Sequence, residues 1–517
     1  MTSNRGTSTL RSRAASARVG RREWWVSFLL FAALGAGWAI ALPLFGSPDE
    51  PAHTIRAASV ARGEAIGEQI PGKDGGWRAV TVPEVMESAN NVGCYAFRSD
   101  LSAACLSYEG SDRETKVDTT AGTYFPAYYW VVGLPSLISP QAGGVYLMRL
   151  LSALVAAALL ACAVSSLRGF PNRRVGAVGL AVSVTPMVLF VNGTVNPSSL
   201  EISASIAAWC SALAIAATRA DTRIDRAEII RLVVAFSALG VSRLFAPMWI
   251  VGMLVVAGLL GGWTVIRRMS RDRGMQLAAG IIGIATLSQL VWNVIVRPVD
   301  TGTSVEVSQY ELIRNTIGRS GFFYDSMIGN FGWLNVKAPY IVILIWTAAI
   351  GLLLALGLSL PSRRASLALL LTAAATVMLP LVSEYREVPI IGPFWQGRYT
   401  LPLAVGVPLI AAWIIGASSI GERLARSRLP LIVGAALFIG HFLSFAQTLR
   451  RFSVGYNGSF MYWRAPSWSP PLGALPITLG FGLVLILWSL WLLGPSPEDL
   501  EVPVNAAVDS GVDSPVN

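Results

Sequence analysis

The sequence predicts an all-α polytopic membrane protein with about 12 transmembrane helices, and three observations carry that prediction. Hydrophobic residues make up 53% of the 517 residues, charged ones only 14%, and the mean hydropathy is +0.56. A soluble domain carries about a quarter charged residues. Several stretches run roughly 20 residues without a charge, the length that crosses the hydrocarbon of a bilayer. Lipid offers no partner to a free backbone N–H or C=O, so these stretches must be helical. Third, the basic residues fall on alternate sides of the expected spans.

Spans are expected near 24–45, 145–167, 175–191, 198–217, 227–242, 244–266, 275–296, 339–360, 365–382, 400–419, 429–448 and 472–493. With the N-terminus in the cytoplasm, the inner segments begin with Arg5, Arg11, Arg13, Arg18, Arg21 and Arg22, then Arg168, Arg173 and Arg174. Arg219, Arg223, Arg226 and Arg231 follow, then Arg267, Arg268, Arg271 and Arg273, and finally Arg363, Arg364, Arg423, Arg426 and Arg428. Short basic loops on one face are the positive-inside pattern. The outer loop 46–142 has the opposite balance, with 12 acidic against 7 basic residues. The net charge of +10 therefore reports topology, and no nucleic-acid partner is expected.

Taken in order, residues 1–23 are basic and polar and read as a disordered cytoplasmic N-terminus. The first span has an apolar run of about 22 residues, longer than the roughly 7–15 of a signal peptide, and is expected to stay uncleaved. In loop 46–142 the aromatic run Thr123 to Trp130, followed by Val131 to Ile138, is too short to span. Trp and Tyr favour the interface, so it reads as an amphipathic interfacial helix. Segments 227–242 and 244–266 are kept as two spans, because merging them would reverse the charge rule in every later loop. Residues 24–493 form one transmembrane domain, and the acidic tail 494–517 reads as disordered and cytoplasmic.

Of the four cysteines, Cys94 and Cys105 lie in the outer loop, where oxidation permits a disulfide. Cys162 and Cys210 lie within spans and read as small packing residues. No CxxC or His-rich metal pattern occurs, and there are only two histidines.

Four places hold polar residues at the outer face. Directly after span one comes Ser47-Pro48-Asp49-Glu50-Pro51-Ala52-His53. Local helix rules account for Ser47 as N-cap, Pro48 in the first turn and Glu50 as its capping-box partner. They do not require Asp49, or His53 one turn beyond it, and two titratable groups at that level suit proton abstraction or metal binding. In the aromatic run, Tyr124 and Tyr129 are pocket candidates, while their neighbours read as interfacial anchors. Before span ten, Phe394-Trp395-Gln396-Gly397-Arg398-Tyr399 places an arginine at a helix end, with Glu384, Tyr385 and Arg386 upstream. Arg398 there either snorkels to lipid phosphate or grips a specific phosphate through its planar fork. Gly397 would let a ligand approach the backbone. Last, Arg149, Asn192, Asn196, Glu201 and Arg243 are polar residues in or near spans, and pairing of Glu201 with Arg149 or Arg243 is the plain alternative to a functional role. Residues Gly321 to Asn335 either border the same cavity or form an interfacial loop.

Asp49-Glu50-Pro51-Ala52-His53, the Tyr-x-Pro-x-Tyr-Tyr opening of the interfacial helix and the arginine at the start of span two resemble the GT-C class of membrane glycosyltransferases. Together with Val195-Asn196-Pro197 and Gln396-Gly397-Arg398-Tyr399-x-x-Pro402, they are similar, over roughly residues 24–493, to a bacterial family of unknown function grouped with that class. The resemblance implies a GT-C-like fold in the bacterial plasma membrane and a sugar donor carried on polyprenyl phosphate. It implies a cell-envelope glycan or glycolipid as acceptor, and Asp49 as catalytic base or as ligand of a divalent metal such as Mg or Mn. Glu50 and His53 would sit beside Asp49, with Arg398 on the lipid phosphate and Arg243 or Arg386 assisting. Tyr124, Tyr129, Asn196, Gln396, Gly397 and Tyr399 would contact substrate. The chain departs from the class in its expected lack of a large soluble domain after the last span. The rival readings are a transporter or lipid flippase, whose marks are midplane charges and an internal repeat, and a non-catalytic membrane subunit.

Overall fold

The computed structural model describes residues 4–73, 76–218, 222, 224–296 and 308–495. The tail beyond 495, the first part of the outer segment 297–338, and Arg219 and Arg223 lie outside the described residues. Helix α1 (Asn4–Ala41) leads through a turn to α2 (Glu50–Ala61), strands β1 (Glu68–Gln69), β2 (Arg78–Pro83) and β3 (Glu114–Thr119), and α3 (Pro126–Gly133). The bundle continues with α4 (Ala142–Ser166), α5 (Arg173–Ser183), α6 (Pro186–Asn192), α7 (Pro197–Ala216), α8 (Arg226–Gly240), α9 (Ala246–Met269) and α10 (Arg273–Ile295). Then come α11 (Gln309–Gly318), α12 (Ser320–Ile328), the hairpin β4 (Asn330–Phe331) and β5 (Val336–Lys337), α13 (Tyr340–Ser359) and α14 (Arg363–Ile391). The chain closes with α15 (Gly397–Ala404), α16 (Gly406–Gly416), α17 (Ser419–Arg426), α18 (Leu429–Val454) and α19 (Ala474–Leu493).

Ten of the expected spans coincide with helices long and apolar enough to cross a membrane, α15 and α16 forming one of them. The other two differ from expectation. Segment 175–191 divides into α5 and α6, bent by 68°, because Pro186 has no N–H to continue the helix ladder. A carbonyl freed at the bend finds a new donor, Trp346 Nε1 reaching Val182 O at 3.0 Å, and the Ser183 hydroxyl beside it donates to Val405 O at 3.0 Å, at the α15–α16 junction. Segment 227–242 is a separate helix, α8, but its 15 residues fall short of a full crossing. Helix α1 extends back from the apolar stretch Gly20–Ala41 through most of the basic segment 1–23.

The bundle encloses polar side chains within a largely apolar core and also turns apolar side chains outward. Helix α7 is buried along its whole length, with Ser198, Ser199, Ser203, Ser205 and Ser211 all enclosed. Small side chains let neighbouring backbones approach closely. Leu277, Ile281, Ile284 and Leu287 of α10 are exposed, the face a helix presents to lipid.

Where an interfacial helix is expected, loop 46–142 holds the short helix α3, and it and the turn after it expose Trp130, Leu137 and Ile138. It also holds an antiparallel sheet ordered β1-β2-β3, with Val80 opposite Val117. Cys94 and Cys105 are joined as a disulfide with Cα atoms 6.1 Å apart. The loop is fastened to the bundle by Tyr95, whose hydroxyl donates to Leu44 O at 2.7 Å, and by Arg451, whose Nη2 donates to Tyr95 O at 2.6 Å and Arg98 O at 3.0 Å.

Candidate functional site

The turn between α1 and α2 sets the geometry of the acidic motif. The expected capping box does not form. Asp49, not Ser47, takes the N-cap position, at φ 64° and ψ −5°, with no side-chain cap bond. Asp is among the few residues that enter this left-handed region without prohibitive cost. Glu50 is unavailable to a box because it has a stronger partner. Arg149 Nε donates to Glu50 Oε1 at 2.7 Å and Arg149 Nη2 to Glu50 Oε2 at 2.8 Å, both side chains fully buried. The same guanidinium caps the end of α1 through Ala39 O, Leu42 O and Pro43 O. Val195 N adds a further bond to Glu50 Oε1 at 3.1 Å. Glu50 therefore holds the motif in place and is closed to substrate.

Asp49 points the other way. Its carboxylate pairs with Arg398 Nη2, which also reaches the Tyr399 hydroxyl at 3.3 Å. Asp49 keeps 43% of its side-chain exposure while Arg398 keeps 3%. Burial alone would raise the Asp49 pKa, but Arg398, with Arg243, outweighs it and holds the carboxyl below the usual range. The group is a charged, reachable carboxylate.

His53 is buried and its Nδ1 shares a 2.9 Å hydrogen bond with the Tyr129 hydroxyl. Burial, with only Asp49 opposing it, lowers the His53 pKa to about 3, so the ring is neutral at physiological pH. Burial raises the pKa of Tyr129 well above its usual value and keeps its hydroxyl protonated. His53 and Tyr129 form a neutral wall, and Tyr124, 41% exposed, lies 5.6 Å from the His53 ring. Arg56 Nη2 and Trp292 Nε1 hold the chain entering α3 through Tyr124 O at 2.7 Å and Thr123 O at 2.9 Å.

Arg243, between α8 and α9, sits 5.3 Å from the Tyr399 ring centre and 6.0 Å from that of Tyr124. Its carboxylate partner is Glu201 at 3.8 Å, while Trp249 Nε1 donates to Glu201 Oε1 at 3.0 Å. Between the two pairings expected for Glu201, Arg149 is thus committed to Glu50 and Arg243 takes the place. Asn192 accepts from Ser203 Oγ at 3.1 Å, a packing role. Asn196 caps α7 through Ser198 N at 3.0 Å and reaches Pro48 O at 3.3 Å, steadying the residue before Asp49.

Gly397 serves the fold itself. A Cβ there would stand 2.3 Å from Phe323 O and 2.6 Å from Met327 N, so it is helix α12 that approaches its backbone. Glu384 is buried against Arg319 Nη1 at 2.5 Å and Trp395 N at 3.1 Å, bracing the turn into α15. Arg386 is 84% exposed and paired with Glu387, away from the cluster. The structure therefore gathers Asp49, His53, Tyr124, Tyr129, Arg243, Arg398 and Tyr399, and leaves Glu50, Asn196 and Gly397 as supports. Sequence reasoning did not single out Trp249 and Arg319; a tryptophan near a span end is a weak signal, and the arginine carries none.

Asp49 offers a poor cradle for a divalent ion. Among the described residues no three His, Cys, Asp or Glu side chains converge, Glu50 and Glu201 are engaged by arginines, and Arg398 and Arg243 place positive charge beside Asp49.

Residues 31–407 match the family described as "Predicted membrane protein (DUF2142)". No protein of curated function matches the sequence. Two crystal structures of ArnT from Cupriavidus metallidurans are similar to this chain. One, bound to undecaprenyl phosphate, has 13% identity and a TM-score of 0.42, covering 91% of this chain and 77% of that one. The other, in the apo state, has 14% identity and a TM-score of 0.42, covering 91% and 76%. The chain belongs to the DUF2142 family of membrane proteins.

Proposed function

We propose that this DUF2142 family member is a membrane glycosyltransferase that moves a sugar from a polyprenyl-phosphate donor to a cell-envelope glycan or glycolipid. The reaction would run at the outer face of a bacterial plasma membrane, with both termini in the cytoplasm. One observation carries this reading: the reachable carboxylate of Asp49 stands beside two sheltered guanidiniums, Arg398 and Arg243, at the ends of apolar spans. Inverse charges side by side suit a displacement in which a proton leaves one group as negative charge builds on another.

In that displacement an acceptor hydroxyl attacks the anomeric carbon. Its oxygen forms the new glycosidic bond as its proton passes to Asp49 Oδ, and the bond from the anomeric carbon to the phosphate oxygen breaks. The leaving polyprenyl phosphate takes the electron pair, and Arg398, with Arg243, stabilises its charge. Sheltered arginines are suited to this, since their donors are fixed before the charge develops. An apolar cleft of about 470 Å³ lies between α12, α13, α14 and the α15–α16 span, and Leu401, one turn beyond Arg398, lines it. A prenyl chain seated there would bring its phosphate to Arg398.

The test is transfer by the purified protein with polyprenyl-phosphate sugars, comparing wild type with Asp49→Asn. Transfer by wild type and its loss in a folded Asp49→Asn supports the reading. Equal transfer by both removes Asp49 from the reaction. Movement of labelled lipid across vesicles that survives Asp49→Asn, without transfer, would favour a flippase.

A further inference from the structure

Three polar atoms close to the Asp49–Arg398 pair have no hydrogen-bond partner: Arg398 Nε, Gln396 Oε1 and Asn330 Oδ1. Arg398, Gln396 and Asn330 line one cleft, together with Pro48, Ser326 and Leu334, which as it stands is too tight to admit a water molecule. Arg398 is 2% exposed and Asn330 1%, so water does not complete their bonding from the surface. Buried polar groups in folded proteins are nearly always paired, and an unpaired set on one cavity asks for a missing partner. Arg398 meets Asp49 and Tyr399 through Nη2, and its Nε–H is left without an acceptor.

The chemistry of the three atoms narrows the ligand. One guanidinium N–H donates, and two carboxamide oxygens accept, each amide also carrying N–H donors. A phosphate anion has no proton to give and would leave both carboxamide oxygens unpaired. An acyl or prenyl chain would leave all three atoms unpaired. Adjacent hydroxyls on a sugar ring satisfy them: each O–H donates to a carboxamide oxygen, and one hydroxyl oxygen accepts from Arg398 Nε.

We infer that Gln396, Asn330 and Arg398 Nε form a subsite for vicinal hydroxyls of the transferred sugar. The inference rests on the glycosyltransferase reading and assigns which face of the site selects the sugar. The phosphate would lie on the Nη side of Arg398 and the ring hydroxyls on the Nε side. Entry requires the wall to move. Leu334 closes the cavity from the β4–β5 turn and has φ 59°, with Gly332 at φ 61° two residues before it. A bulky residue at positive φ is strained, and the movement that admits the sugar is assigned to this turn.

The experiment uses the full chain in detergent and measures Kd for bare prenyl phosphate and for prenyl phosphates carrying glucose, mannose, galactose or arabinofuranose. Wild type should bind at least one sugar-bearing form more tightly than the bare phosphate. Asn330→Leu and Gln396→Leu should each weaken that form about tenfold, equivalent to about 1.4 kcal/mol, and leave the bare phosphate unchanged. The bare phosphate also reports that each variant is folded. Equal loss for bare and sugar-bearing ligands, or no loss for either, overturns the subsite while the phosphate site stands. The subsite is likewise overturned if wild type binds bare and sugar-bearing forms equally. Absence of prenyl-phosphate binding by wild type would overturn the glycosyltransferase reading itself.

Discussion

Glu50 and Arg149 form a bidentate ion pair, at 2.7 and 2.8 Å, from which both side chains are shut off from solvent. One residue earlier, Asp49 faces outward to a different arginine. Adjacent carboxylates thus divide the work: one fixes the turn, the other is presented to whatever enters. A buried charge left without its partner is severely destabilising, so Arg149→Ala should lower stability by about 3–5 kcal/mol. Glu50→Gln should also lower it. Asp49→Asn removes the carboxylate from sheltered Arg398 but at a partly exposed position with Tyr399 still beside it, and should lower stability by less than Arg149→Ala does. Thermal unfolding in detergent separates the cases; equal loss in all three variants would contradict this division.

Arg398 invites a conservative replacement. Lysine keeps the charge but has neither the fork nor Nε, and it cannot hold Asp49, Tyr399 and a phosphate together. Arg398→Lys should fold normally and bind prenyl phosphate about tenfold or more weakly, the loss of one charge-assisted hydrogen bond. Unchanged affinity would show that any positive charge at this position suffices and that the planar fork is not needed.

How much of this was legible in the sequence depends on the distance over which each feature acts. The spans were legible because hydropathy is local and lipid admits little else than helix. Asp49, His53 and Arg398 were legible because local helix rules left them unexplained. The capping box at Ser47 and Glu50 was misread for the opposite reason: local rules favoured it, but Arg149, 99 residues away, supplies a better partner. Gly397 resembled a ligand gap since nothing local shows that α12 would pack there. The strands β2 and β3 do carry alternation, in Arg78-Ala79-Val80-Thr81-Val82 and Thr115-Lys116-Val117-Asp118-Thr119. That signal is short and sits in a long loop, so the helical reading of the chain obscured it.

Acid should weaken the fold through His53. The unfolded chain takes up a proton near the ordinary His value of 6.5, whereas the folded one resists until about 3. Between those values the unfolded state binds more protons, so stability falls as pH drops through this window and is flat above it. His53→Gln should reduce the slope between pH 6.5 and 3, measured by unfolding midpoints at stepped pH. An unaltered slope would mean that other groups carry the acid response.

Chelation gives a clean outcome for the metal question. Asp49 shares its carboxylate with Arg398, and the neighbouring acids are already paired. Two guanidiniums near one carboxylate disfavour a divalent cation by direct repulsion. Transfer in EDTA should therefore equal transfer in Mg or Mn. Activity that vanishes on chelation and returns with one ion would assign Asp49 to a metal.

Gly397→Ala tests whether the glycine serves the fold or the ligand. The added Cβ would meet Phe323 O, Met327 N and the Ser326 carbonyl carbon at 2.3, 2.6 and 2.7 Å. All three are backbone atoms, which cannot swing aside as a side chain can. Helix α12 must then move away from α15, and overpacking of this kind costs about 1–3 kcal/mol. Because Phe323, Tyr324 and Met327 line the apolar cleft beside Leu401, that displacement should also weaken binding of the prenyl chain. The expected result is a lower unfolding temperature together with weaker prenyl-phosphate binding. If Gly397 instead left room for substrate, the alanine variant would keep its unfolding temperature and lose binding alone.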